Sequence, residues 1–108
     1  MALAAWGSTA TNDRLAVGAI GAFRRHRIDC PQDISVTGFN DMPYVERLTP
    51  PLTTLHVPHD EMGKLAASLL LDQLGNPKAA AKQVRLRPSL VVRGSTAPPP
   101  RKPKVLSR

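Results

Sequence analysis

A chain of 108 residues with 42 % hydrophobic and 4 % aromatic side chains fits one small domain with an aliphatic core. Its single cysteine, Cys30, excludes an internal disulfide and a thiolate metal cluster, and its setting before Pro31 predicts a packed or half-buried side chain. The positive charge behind the formal +7 gathers in Arg24, Arg25 and Arg27 and in Arg101, Lys102, Lys104 and Arg108; neither cluster alternates with aromatics, so no base-reading surface is indicated.

No apolar run reaches the roughly eighteen residues of a membrane span. Met1 to Trp6 is apolar but short and lacks a basic flank, so it does not read as a signal peptide, and a cytoplasmic location is expected. Residues 1–10 are expected to be irregular, residues 11–97 to form the folded part, and residues 98–108 to form a disordered basic proline-rich tail. Weak association of that tail with polyanions is the alternative to simple solvation.

In chain order, Leu15, Ala16, Ala19, Ile20 and Phe23 recur at helical spacing and predict a helix from about Asp13 to Arg27. Asn12 suits its N-cap, Asp13 its positive end and Arg24 to Arg27 its negative end. Gly18 and Gly21 cost about 1 kcal/mol each inside a helix, so a close approach of another backbone is expected there. Ile34 to Phe39 predicts a strand covered on both faces, with Gly38 breaking the run and Asn40-Asp41 presented at its carboxyl end. Pro50-Pro51 sets up an extended segment from Leu52 to Val57.

Met62, Leu65, Ala66, Leu69, Leu70 and Leu74 mark the stripe of a second helix, with Pro58 at its first turn and Gly75-Asn76-Pro77 at its stop; this helix should cover a sheet face. Val84 to Leu86 and Leu90 to Val92 read as two short strands around Pro88.

No catalytic constellation emerges. His26, His56 and His59 lack zinc-helix spacing, Ser35 and Ser89 have no base in a recognisable motif, and the glycines of the first helix are followed by no Gly-Lys-Ser/Thr. A non-enzyme without cofactor or metal is expected. Asn40, with donors and an acceptor, and Asp41, with acceptors, suit a sugar or nucleoside hydroxyl.

The segments Asn12-Asp13-Arg14-Leu15-Ala16-Val17-Gly18-Ala19, Pro31-Gln32-Asp33-Ile34-Ser35-Val36-Thr37-Gly38-Phe39-Asn40-Asp41, Pro50-Pro51-Leu52-Thr53-Thr54, Glu61-Met62-Gly63 and Leu90-Val91-Val92-Arg93-Gly94-Ser95-Thr96 come in the order and spacing of one family. From about Thr11 to Pro98 the chain resembles the C-terminal part of the effector-binding domain of LacI/GalR transcriptional regulators. The resemblance implies an α/β fold: a partial periplasmic-binding-protein-like lobe with a mostly parallel sheet flanked by helices. The family's helix-turn-helix headpiece, through which DNA would be bound, and its first lobe have no counterpart in this sequence.

The same resemblance implies a small-molecule effector held by Asn12, Asn40 and Asp41, with Asn40 standing where relatives usually carry Asp. It places Val57 and His59 at positions that line the pocket in some relatives, and a homodimer interface at Val17, Gly18, Gly21 and Leu48. Capping by Asn12 alone, and close packing of the glycines within the chain, remain open beside these roles. Two other functions also stay open: a solute-binding protein of a sugar transport system, and an inactive truncated remnant whose sheet has one bare face.

Overall fold

A computed structural model describes residues 2–4, 6–102 and 105–107. Along the chain they form β1 (Ala2–Ala4), β2 (Gly7–Thr9), α1 (Asp13–Arg25), β3 (Ser35–Thr37), a short 3-10 turn (Val45–Arg47), β4 (Thr54–His56), α2 (His59–Gly75), β5 (Ser89–Val91) and β6 (Val105–Ser107). They divide into two compact units: Met1–His56 with Ser89–Arg108, and Val57–Pro88.

In the first unit β2 and β3 pair in parallel, Gly7 with Ser35 and Thr9 with Thr37. Parallel bridges from Thr37 to Thr53 and from Asn40 to His56 carry the sheet on to β4, which pairs antiparallel with β5. The α/β class is thus as expected, with parallel pairing at the centre. β1 and β6 form a separate antiparallel pair.

The core is aliphatic: Ala16 and Ile20 of α1 pack with Ile28, Ile34, Val36, Val45 and Leu52. Helix α1 stops two residues before the expected end, and its buried positions are Asp13, Ala16 and Ile20. Leu15, expected on that face, is 56 % exposed, because the inward stripe runs through 13, 16 and 20 rather than through 15.

Several expectations are corrected. Residues 1–10 are not irregular throughout, since the Gly7–Thr9 backbone finds partners on β3 that outweigh its poor apolar pattern. The tail is not wholly disordered: residues 98–102 lie outside helix and strand, but β6 pairs with β1. Lys104 and Arg108 of the basic cluster lie outside the described residues, as does Met1.

The strand β3 does not have both faces covered. Ile34, Val36 and Gly38 are buried, whereas Ser35 and Thr37 are half-buried and Phe39 is exposed. One layer, α1, covers the sheet in this unit, and the alternation follows from that.

In the second unit, α2 keeps its expected stripe and its stop at Gly75, and within it Leu70, Leu71 and Leu74 are 60–67 % exposed. Val84 to Leu86 lies outside helix and strand, so the expected pair of strands around Pro88 reduces to β5.

Candidate ligand-binding site

Asn12 follows the carboxyl end of β2 and caps α1, its Oδ1 accepting from the Leu15 backbone N–H at 2.9 Å. The amide nitrogen of Asn12 is left over, so capping and ligand contact are compatible. Asp13, expected merely to favour the helix dipole, is fully buried. Its Oδ1 accepts the Thr54 hydroxyl and its Oδ2 the Met42 backbone N–H, each at 2.7 Å, while its own N–H donates to Phe39 O at 3.1 Å. The start of α1 is thereby joined to residues 39–42, which brings Asn12 and Asn40 to the same junction. Gly38 makes room for it: a Cβ there would fall on Asp13 Oδ1 and lie 2.9 Å from Leu52 Cδ2.

Asn40 and Asp41 turn the chain at the end of β3 with φ of 114° and 59°, a region that side chains other than glycine enter at a cost and that Asn and Asp tolerate best. Asn40 N–H donates to Leu55 O at 2.9 Å, and the half-buried Asn40 side chain has no hydrogen-bond partner among the described residues. Asp41 commits both oxygens: Oδ1 lies 2.8 Å from Arg93 Nη2 and Oδ2 2.9 Å from His56 Nδ1. Partial burial pushes the Asp41 carboxyl up, but hydrogen bonds and charge from Arg93 and His56 pull it down further, and it titrates below its ordinary value of 3.8.

Behind this clamp stands a hydroxyl network. Arg93 donates from Nη1 to Leu52 O at 3.0 Å and from its backbone to Thr53 Oγ1 at 2.9 Å, and Thr53 Oγ1 meets Thr96 Oγ1 at 2.8 Å. The buried Ser95 hydroxyl donates to Val36 O at 2.6 Å and accepts from Thr53 N–H at 2.8 Å. It stands in for backbone between β3 and the start of β4, where each buried polar group needs a partner. Cys30, half-buried as expected, donates to Ser95 O at 3.3 Å; burial pushes its thiol up, so it stays neutral.

Arg93, Asp13, Thr54 and Ser95 were missed as site residues. Their roles depend on partners far along the chain, and the one local signal is two consecutive threonines directly after the buried Leu52.

The uncovered side of the sheet carries an apolar hollow of about 380 Å³ lined by Thr9 to Thr11, Thr37 to Phe39, Thr54, Leu55 and Leu90. It adjoins the junction in sequence, but Asn12, Asn40 and Asp41 do not line it. Val57 and His59 belong to the second unit, and Trp6 is exposed.

Of the positions expected at a dimer face, Val17, Gly21 and Leu48 line one depression of about 270 Å³ together with Ile20, Arg24, Thr49 and Pro50. Gly18 lies outside it, and a Cβ at Gly18 would meet nothing within 4 Å, so packing inside the chain does not explain that glycine.

Polar side chains gathered at the carboxyl ends of parallel strands, where a crevice forms in open α/β sheets, define a ligand-binding lobe of the periplasmic-binding-protein type. The chain matches the periplasmic binding protein-like domain family over residues 4–96, and it belongs to that family in its LacI-type regulator branch. It is 44 % identical over 89 residues to the HTH-type transcriptional regulator MalR of Streptomyces coelicolor, covering 82 % of this chain and 26 % of the relative. It is 37 % identical over 90 residues to the lactose operon repressor of Rhizobium radiobacter, covering 83 % and 79 %. A solved LacI family transcriptional regulator from Enterococcus faecalis V583 with bound ribose superposes with a TM-score of 0.81 at 33 % identity, over 85 % of this chain and 34 % of that one. The chain therefore spans about a quarter to a third of the length of the regulators it first matches.

Proposed function

We propose that this chain is the effector-sensing and dimerising part of a LacI/GalR-type transcriptional regulator, with a sugar as its effector. The observation that carries the reading is the junction of α1 with the end of β3, where Asn12 keeps an unspent amide nitrogen and Asn40 a whole unspent amide beside the carboxyl ends of the strands. Side-chain amides both donate and accept, which matches the hydroxyls of a sugar. The ribose bound to the E. faecalis relative supports the same class of ligand. Asp41 belongs to the site as the support of Asn40, since both its oxygens already hold Arg93 and His56.

Dimerisation through the depression at Val17, Gly21 and Leu48 is part of the reading, as is DNA contact through a headpiece outside this sequence. The protein would act in the cytoplasm without catalysis. Among the described residues no helix is long and apolar enough to cross a membrane. The relatives' names favour regulation over solute transport.

The test is titration of the isotopically labelled chain with D-ribose, followed by the side-chain amide resonances of Asn12 and Asn40. Both should shift, and Asn40→Gly, which removes the amide at a backbone angle glycine accepts, should weaken binding without lowering the thermal midpoint. Silence of both amides across a panel of pentoses and hexoses would overturn the sugar assignment. Gly21→Arg should move the sedimentation profile towards monomer, and an unaltered profile would remove that surface.

A further inference from the structure

The dipeptide Asn-Asp occurs twice, at 12–13 and 40–41, each time just past the carboxyl end of a parallel strand. Both copies divide their polar atoms in a similar way. Asn12 keeps its amide nitrogen and Asn40 its whole amide without partners among the described residues, while each aspartate spends both oxygens on neighbours. One partner of each aspartate comes from β4: Thr54 for Asp13 and His56 for Asp41. Residues two apart on a strand point to the same side, so one face of β4 holds both aspartates.

We propose that Asp13 and Asp41 are positioning residues of the effector site. Each fixes the backbone that carries the asparagine before it, so that two amides are held in place before a ligand arrives. This rests on the reading that Asn12 and Asn40 touch the effector. The need is greatest at Asn40, whose φ of 114° persists only where surrounding contacts over-determine it. Asp41 supplies those contacts by tying the turn to β4 through His56 and to the segment after β5 through Arg93. Asp13 supplies the second restraint on the same turn through the Met42 N–H.

The test uses the labelled full chain, wild type and with Asp41→Asn or Arg93→Gln, in two measurements. A strong intraresidue HN–Hα Overhauser effect at residue 40 reports positive φ without any ligand. Titration with D-ribose then reports affinity. In both variants the Overhauser effect at Asn40 should weaken and the Kd for D-ribose should rise by roughly tenfold, the loss of one well-oriented hydrogen bond. The shift of the Asn12 amide with sugar should persist, which a general loosening of the fold would not produce. Unchanged Overhauser effect and unchanged affinity in the variants would overturn the proposal. If the wild type does not respond to D-ribose, the ribose assignment fails, and the Overhauser effect alone decides: its loss in the variants supports positioning and its retention overturns it. Should Asp41→Asn fail to fold, Arg93→Gln is read by the same two measurements.

Discussion

Asp13, the first residue of α1, is bonded through Oδ1 to the hydroxyl of Thr54, 41 positions later, and the pair is shut off from solvent. A carboxylate in such a place is stabilising only while its donors stay in position. Thr54→Val, which keeps the shape and deletes the donor, should lower stability by about 1–3 kcal/mol. Asp13→Ala should cost more, because it frees the Met42 N–H as well. Urea unfolding of the two variants checks both the sign and the order.

Two glycines should respond to alanine with opposite signs. At Gly38 a methyl group would press on Asp13 and on Leu52 Cδ2, so Gly38→Ala should destabilise by about 1–3 kcal/mol. At Gly18, inside α1 with open space around it, Gly18→Ala should stabilise the monomer by about 1 kcal/mol. Chemical denaturation at low protein concentration separates this from any effect on association.

The Asp41 carboxyl makes stability depend on pH in acid. Its folded pKa lies below the unfolded value near 3.8, so the folded chain holds the proton less tightly than the unfolded one. The contribution is present above about pH 4 and is lost as pH falls through the folded value. Arg93→Gln removes the stronger charge partner and should flatten this acid limb. Thermal midpoints measured from pH 6 down to pH 2 test it.

Backbone strain and ligand contact should separate at Asn40. Glycine accepts φ of 114° without penalty, so Asn40→Gly should stabilise the fold by about 1 kcal/mol while removing the amide and weakening sugar binding. A variant that melts higher and binds less is the expected outcome of paired calorimetry and titration.

Much of this architecture was legible because it rests on local rules. The Asn12 cap, the break of β3 at Gly38 ahead of Asn40-Asp41, and the stop of α2 at Gly75 each depend on residues within a turn of one another. What escaped depends on distance. Asp13 carries an obvious local explanation as a dipole partner, and its burial follows from Met42 and Thr54 far downstream. Gly7-Ser8-Thr9 has no strand pattern of its own and becomes β2 through the edge that β3 offers. The stripe on α2 predicted the helix correctly, but a stripe does not say what covers it. Arg93 carries no local signal beyond its place just after β5, whereas its fork holds the turn that bears Asn40.

The antiparallel pairing of Thr54 with Val91 and of His56 with Ser89 has a topological meaning. Both ends of residues 57–88 emerge side by side from a β-hairpin stem, so that segment is a closed excursion from a complete hairpin. A two-residue turn such as Asn-Gly could join His56 to Ser89 directly. The ladder that seats His56 against Asp41 would then keep its register, so a chain shortened in this way should still present the Asp41–His56 pair.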